Sequence, residues 1–323
     1  MPALHNQLPP PPSGRTGWPW TVESTPLSQE QFSGQLWPKI SIVTPSYNQG
    51  DYLEMTIRSV LLQGYPKLEY IIIDCLSTDN SLEIIKKYEK YIGFWCSEED
   101  EGQSDAINKG VRMSTGDLIA WINSDDFLQP RSLFHVAEMY VRNPSAGVYV
   151  GGGQFVDKFG KLILVKEPAS DLSFSSLLTW LDDFHFMQPS CFFRRDAWDE
   201  CGPLDLGLHC SMDLDLWLKF AKKYQFFSTT ENLSCSRVHE AAKTSQFANM
   251  SIVDSCIVLM QHGGEKEARK HLEIMAAKLS WNEYYIGKIL DFPPVKLFRG
   301  TIRRLMNSEQ KWREVSPTWT KKD

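Results

Sequence analysis

Short continuous apolar runs recur along the chain from residue 39 onward. Ile40-Ser-Ile-Val-Thr44, Tyr70-Ile-Ile-Ile-Asp74, Gly93-Phe-Trp-Cys96 and Leu118-Ile-Ala-Trp-Ile-Asn123 are four of them. Runs of this length suit strands buried on both faces of a sheet. Between them the apolar positions switch to helical spacing: Leu53, Ile57, Val60 and Leu61 within Tyr52–Gln63, Leu82, Ile85 and Tyr88 in a second segment, Ala106, Ile107 and Val111 within Gly102–Met113, and Leu133–Val141. Gly64-Tyr-Pro66 ends the first of these helices, and Ser77 or Asp79 is placed to cap the second. Strands alternating with helices at these intervals predict βαβ units and a mostly parallel sheet flanked by helices.

After Pro144 the rhythm changes. Val148–Gly153 reads as a strand breaking into glycines, and Gln154–Asp157 with Leu162–Lys166 as a hairpin around Phe159-Gly160. A helix is expected over Leu172–Leu181, a strand over Gln188–Phe193, and a short helix over Asp196–Cys201. A helix over Met212–Lys223 and a strand over Gln225–Thr229 follow. From about Thr244 two or three helices and a basic end complete the chain. Residues 1–37 differ from all of this. The run Leu8-Pro-Pro-Pro-Pro12 must be extended, yet Trp18, Trp20, Phe32 and Trp37 are too apolar for a solvated tail. An arm lying across the domain is expected, with a proline-motif ligand as the competing reading. The division is therefore an arm (1–37), a domain of two halves (38–126 and 127–243) and a helical extension (244–323).

Composition adds exclusions. The 323 residues are 42% hydrophobic and 23% charged, as in globular chains. A net charge of −6 gives no case for nucleic acid. Seven scattered cysteines without a CxxC pair fit reduced thiols rather than a disulfide framework or zinc site. No apolar run approaches the ~20 residues of a membrane span, and the start lacks the regions of a signal peptide. A cytoplasmic protein is expected.

The predicted strands bring Thr44, Asp74 and the cluster Asn123-Ser-Asp-Asp126 to the carboxyl ends of a parallel sheet, where such sheets bind ligands. GxGxxG after the first strand and GxxxxGK[ST] anywhere are missing, so neither a dinucleotide fold nor a P-loop is supported. A nucleotide held without a phosphate loop needs another source of positive charge. Asp125 and Asp126 are hard oxygen ligands suited to Mg²⁺ or Mn²⁺ rather than Zn²⁺. The competing reading is a polar turn with Asp126 as a helix cap.

Thr44-Pro-Ser-Tyr-Asn48, Asp74-Cys-Leu-Ser-Thr-Asp79, Gly102-Gln-Ser-Asp-Ala-Ile-Asn-Lys-Gly110 and Asn123-Ser-Asp-Asp126 stand in the order and spacing of family 2 glycosyltransferases. The chain resembles that family over roughly residues 40–243. The resemblance implies the GT-A fold and a nucleotide-sugar donor, usually a UDP-sugar, with Mg²⁺ or Mn²⁺. It implies that Thr44 and Pro45 line the base and ribose pocket, with Tyr47 beside them, and that Asp74 hydrogen-bonds the base. Asp100, Lys109, Asn123 and Ser124 fall on the donor side. Asp125 would bind the metal, with Asp126 beside it.

Farther on, Met212-Asp-Leu-Asp-Leu-Trp217 resembles the family's acidic motif near the acceptor. An inverting transfer needs a carboxylate to take the acceptor hydroxyl's proton. Asp213 matches that position, while Asp215, two residues on, should point elsewhere. The competing reading is that both carboxylates only favour the helix N-terminus. Gln188-Pro-Ser190 resembles the strand flanking the acceptor, with Gln188 and Ser190 on that side. Arg237-Val-His239 with Lys243 resembles the segment closing over the diphosphate, with His239 as a third metal ligand and Lys243 as a phosphate contact. Two departures stand out. Leu76 occupies a position that is usually Gly, which is costly if the backbone needs φ > 0. Ile107 replaces a frequent Arg, leaving Lys109, Lys243 and the metal to neutralise the diphosphate.

The resulting expectation is a metal-dependent, inverting glycosyltransferase adding one sugar per event to a carbohydrate or lipid-linked glycan, as in cell-surface polysaccharide synthesis. Two alternatives are a silent nucleotide-sugar-binding or scaffold protein and a nucleotidyltransferase on a related fold. Lys296, Arg299, Arg303 and Arg304 beside Leu297, Phe298, Ile302 and Leu305 would be amphipathic if helical, giving a peripheral membrane contact at the inner face or an ordinary solvated helix.

Overall fold

The computed structural model describes residues 4–25 and 36–291. Four short strands form its parallel half: β1 (Ile40–Ser46), β2 (Leu68–Asp74), β3 (Phe94–Ser97) and β4 (Leu118–Trp121), in the order β3-β2-β1-β4. Ile40 pairs with both Leu68 and Leu118, so three strands start level and end at one edge. The sheet continues with β8 (Cys191–Arg194) antiparallel to β4, then β6 (Val148–Asp157), β9 (Phe226–Val238) and β5 (Phe127–Leu128). Among the described residues, β7 (Leu162–Lys166) pairs only with β6, antiparallel, as the hairpin pattern predicts.

The two faces are buried by different helices, and the period of two along each strand sorts the side chains. Ile40, Ile42, Tyr70, Ile72, Leu118 and Ala120 share a core with α1 (Gly50–Leu61), α2 (Ser81–Tyr88) and α4 (Ser132–Arg142). Val43, Ile71, Ile73, Ile119 and Trp121 face α3 (Gln103–Met113), α6 (Arg195–Cys201) and α7 (Met212–Lys223). Trp121 stacks on Trp217 of α7, with centroids 5.4 Å apart and planes 10° off parallel. α5 (Phe174–Leu177), α8 (Lys243–Gln246) and α9 (Ala248–Gln261) complete the compact unit 1–268; α10 (Glu265–Asp291) leads into a second unit, 269–323. All seven cysteines are free thiols. Among the described residues, no helix is long and apolar enough to cross a membrane. The basic segment from Lys296 lies outside the described residues.

Several elements depart from expectation. β6 runs straight through Gly151–Gly153, because the glycines admit close neighbours rather than breaking the strand. A Cβ on Gly151 would sit 2.4 Å from the Leu233 side chain, and one on Gly153 2.6 Å from Met187 Sδ. β9 extends nine residues beyond Thr229, through a polar stretch without apolar alternation. Gln188–Ser190 is a 3₁₀ turn with Pro189 inside it, and the strand starts only at Cys191. α5 has four residues rather than ten. α2 is capped by neither Ser77 nor Asp79: Asn80 is its N-cap, and the Asp79 carboxylate accepts the Ser81 and Gly50 N–H groups instead.

The described part of the arm is fixed to the first unit. The Trp18 indole donates to the Leu128 carbonyl at 2.8 Å, and Trp37 meets Phe134 edge-on at 5.8 Å. Trp20 and Leu8 are buried, whereas Phe32 lies outside the described residues. The anchor is Arg58 of α1, wholly buried. Its guanidinium donates to the Pro19, Pro9 and Trp20 carbonyls at 3.0, 2.8 and 2.7 Å and to the Tyr88 hydroxyl at 2.9 Å.

Candidate active site

A cleft of about 870 Å³ opens at the carboxyl ends of the parallel strands. Pro45, Ser46 and Tyr47 reach it from the end of β1, Cys75 follows β2, and Asn123 to Asp126 fill the turn between β4 and β5. Asp213 from α7, Gln188 from the 3₁₀ turn and Lys243 from α8 line the same space. Segments distant in sequence are thus gathered around one cleft.

The acidic turn is held from both sides. The Thr56 hydroxyl donates to the Ser124 and Asp126 carbonyls at 2.8 and 2.6 Å. Across the turn, Arg237 donates its backbone N–H to Asp126 Oδ1 at 3.0 Å and its Nε–H to the Asp125 carbonyl at 3.1 Å. Its guanidinium lies over the Tyr52 ring at 4.9 Å, so Arg237 braces the turn and the Arg237–Lys243 segment at once. The two carboxylates consequently differ. Asp126 is buried; burial and then the charge of Asp125 raise its carboxyl above the ordinary range. Asp125 reaches the cleft, and its Oδ2 lies 2.9 Å from Nε2 of the buried His239. Among the described residues, no three His, Cys, Asp or Glu side chains converge as a metal cage. Of the three expected ligands, Asp125 and His239 stand together and Asp126 turns to Arg237 and Asn123.

Amide side chains cross the cleft floor. Lys243 Nζ donates to Gln103 Oε1 at 3.0 Å, Gln103 Nε2 to Asn123 Oδ1 at 2.7 Å, and Asn123 Nδ2 to Gln188 Oε1 at 3.2 Å. Gln188 Nε2 in turn donates to the Trp121 carbonyl at 2.9 Å. Gln103 is the connecting member, and sequence reasoning passed it over. Its one signal was its place in the Gly102–Gly110 motif. Burial pulls the Lys243 ammonium down, against the charges of Cys210, Asp213 and Asp254.

Asp213 is half-buried at the first turn of α7, its Oδ1 accepting the Leu214 N–H at 2.8 Å. Burial raises its carboxyl, with only the Leu214 hydrogen bond, its own N–H and the Lys243 charge opposing. A raised carboxylate is a better proton acceptor. Asp215 is buried and points away, as expected, pairing with the partly exposed Lys219 at 2.6 Å and with His262 at 2.8 Å.

Of the other expected site residues, Thr44, Asp74, Lys109 and Ser190 stand behind the cleft rather than on it. Thr44 is buried with its hydroxyl 3.1 Å from that of Tyr70. Asp74 is buried too, accepting from Ser77 N, Ser77 Oγ and Ser97 Oγ at 3.0, 2.6 and 2.8 Å. It shapes the loop after β2, and Cys75 beside it lines the cleft. Asp100 lines the cleft and accepts the Gly102 N–H at 2.8 Å. Lys109 is held outside the cleft by Glu98 and Asp105, both at 3.2 Å, and the Glu99 carbonyl. Ser190 is buried between the Gly152 carbonyl and Ser234 Oγ. Leu76 has φ +46°, the left-handed region that its unusual identity made a concern. Phe155, Trp180, Phe184 and Phe186 form an aromatic wall that no periodicity announced, because three of them lie in the irregular stretch after α5.

Comparisons with known proteins agree with this architecture. The sequence pattern of glycosyl transferase family 2 matches residues 41–202, half of the chain. The putative teichuronic acid biosynthesis glycosyltransferase TuaG of Bacillus subtilis is 31% identical over 196 residues, covering 58% of this chain and 73% of its own. The S. aureus TarS 1-349 crystal structure in complex with UDP-GlcNAc superposes with a TM-score of 0.55 at 15% identity. That match covers 72% of this chain and 71% of TarS 1-349, and 65% of it in a second crystal structure. The mannosyltransferase PcManGT from Pyrobaculum calidifontis, in complex with GDP-Man and Mn²⁺, gives 0.55 at 15% identity and covers 88% of both chains. The mostly parallel sheet with its flanking helices is the GT-A fold of these neighbours, and with the sequence pattern spanning residues 41–202 the chain belongs to glycosyl transferase family 2.

Proposed function

We propose that residues 38–243 form an inverting transferase domain that moves one sugar from a nucleotide diphosphate donor to an acceptor hydroxyl. The observation that carries this reading is that Asp125 and Asp213 line one cleft with different surroundings. Asp125 sits against His239, while among the described residues Asp213 stands without a direct cationic partner and with its carboxyl raised. That difference separates a cation-holding carboxylate from a proton-accepting one.

Asp125 and His239, whose Oδ2 and Nε2 lie 2.9 Å apart beside the cleft, are the residues that would hold a Mg²⁺ or Mn²⁺. Few protein ligands with the rest supplied by phosphate oxygens and water is the usual Mg²⁺ arrangement. When bound, the cation supplies charge compensation to the departing diphosphate. Lys243 lines the cleft as the nearby ammonium for a phosphate, and the Gln103–Asn123–Gln188 chain fixes the floor on which the donor rests. Asp213 takes the acceptor hydroxyl's proton as its oxygen bonds to the anomeric carbon and the bond to the diphosphate oxygen breaks. The aromatic wall offers flat apolar surface to a sugar ring. A UDP-sugar donor is supported by the TarS complex with UDP-GlcNAc and cell-surface polysaccharide by TuaG.

Two substitutions test the division of roles. Asp125→Ala is expected to abolish metal-dependent UDP binding in calorimetry together with transfer. Asp213→Asn should leave that binding nearly intact and lower turnover by ~10²–10⁴, the range for losing a general base. Full activity of Asp213→Asn would end the assignment. Nucleotide-sugar binding by the unaltered chain without turnover, across donors and acceptors, would instead identify a silent binding protein.

A further inference from the structure

The β6–β7 hairpin carries a continuous run of exposed apolar side chains. Phe159 at its tip is 79% exposed, more than any other large apolar side chain among the described residues, and Leu162, Ile163, Leu164 and Val165 are 43–57% exposed. The tip is a built turn rather than a loose loop. Asp157 Oδ1 accepts the Phe159 and Lys161 N–H groups, both at 2.9 Å, and the Asp157 carbonyl accepts that of Gly160. Phe159 is therefore held outward by structure.

A strand that packs one face against protein alternates buried and exposed side chains. β7 does not: four successive apolar residues are exposed, covering both faces. A medium that surrounds the hairpin fits this pattern better than a partner that covers one face. The charges point the same way. Lys158 and Lys161 are exposed at the tip, on a chain whose net charge is −6, while Lys166 at the end of β7 is paired with Asp183 at 2.7 Å. An aromatic tip and an aliphatic strand flanked by lysines match the interfacial layer of an anionic bilayer, where apolar groups enter and ammonium groups remain among headgroups. Shallow insertion also leaves the unpaired edge of β7 within reach of water, as an open edge requires.

We infer that the hairpin over residues 157–166 is a membrane-docking element for anionic lipid surfaces. Its first strand continues into the cleft, where Phe155 joins the aromatic wall and packs edge-on against Phe184 at 5.7 Å. Docking by the tip would bring that wall toward the lipid and, on the function proposed above, toward a lipid-carried acceptor. Vesicle binding is read without catalysis, so the two readings can fail separately.

The test uses the full chain. It should cosediment with vesicles of phosphatidylcholine and phosphatidylglycerol more strongly than with phosphatidylcholine alone, with hydrogen exchange slowed at residues 158–166. Phe159→Ser with Ile163→Ser, both at exposed positions, should weaken association roughly tenfold to a hundredfold. Lys158→Glu with Lys161→Glu should remove the preference for anionic vesicles. No association by the unaltered chain, or association unchanged by Phe159→Ser with Ile163→Ser, would overturn the inference. So would a dimer in ultracentrifugation that this pair dissociates while vesicles bind nothing, which would assign the edge to a second copy.

Discussion

Leu76 sits in the left-handed region at φ +46° and is about half exposed, so its side chain gains little burial to offset the strain. Leu76→Gly is expected to stabilise the fold by up to about 1 kcal/mol, the steric relief exceeding glycine's greater freedom in the unfolded chain. A thermal melt of both proteins checks it; a lowered midpoint would show that Leu76 makes packing of its own. At this scale the sequence was informative where a residue type carries its own chemistry. Asp125, Asp213, His239 and Lys243 come to one region as their motifs imply, and Leu76 lies where a glycine would be easier. It was uninformative about which way a side chain turns. Asp74 and Asp126 are carboxylates at strand ends like Asp125, yet serine hydroxyls bind the one and the Arg237 backbone the other. The partner of Asp74 is three residues on within the same motif, whereas that of Asp126 is 111 residues away and no local pattern encodes it.

At the opposite end of the parallel strands, Glu69 of β2 ties three segments. It accepts from Lys39 Nζ at 2.6 Å, Ser41 Oγ at 2.5 Å and the Thr115 N–H at 2.6 Å. Burial raises its carboxyl, but these hydrogen bonds outweigh burial and hold it down at about 2, against an ordinary 4.5. A carboxyl held down when folded stabilises fully above its unfolded value, and that contribution disappears as pH falls toward the folded one. Glu69→Gln is therefore expected to cost about 1–2 kcal/mol in urea unfolding at neutral pH. The gap between the two proteins should close as pH drops from about 4.5 to about 2. A gap independent of pH would mean that shape, not charge, joins these strands. Elements with a single strong period were legible: β1, β2, β4 and the helices between them end within a few residues of expectation. Those whose pattern serves close packing were not. Gly151–Gly153 reads locally as a break and serves globally as the seam against β9. The polar second half of β9 reads as loop because its pairing partner is 81 residues away, as for Gln154 and Cys235.

For the whole first unit, the arm is structural. Deleting residues 1–25 removes three carbonyl acceptors from the buried Arg58 and leaves its charge under-solvated. The deletion should cost at least about 3 kcal/mol and cost less in an Arg58→Met background, because that change removes the group left stranded. Equal costs in both backgrounds, measured by chemical unfolding, would locate the arm's contribution in its tryptophans instead. The seam between β6 and β9 has a further bearing on how such a chain can vary. From Val150 to Gly153 β6 advances three residues, while β9 advances six, from Ser228 to Ser234; beyond that the two run residue for residue to Asp157 and Val238. β9 thus carries two reading frames joined by slack. A length change before Ser234 can be absorbed in the slack, whereas one after it would turn Arg237 and His239 to the opposite face. Insertions and deletions can therefore accumulate on one side of the joint while the spacing of His239 from Asp125 is inherited intact.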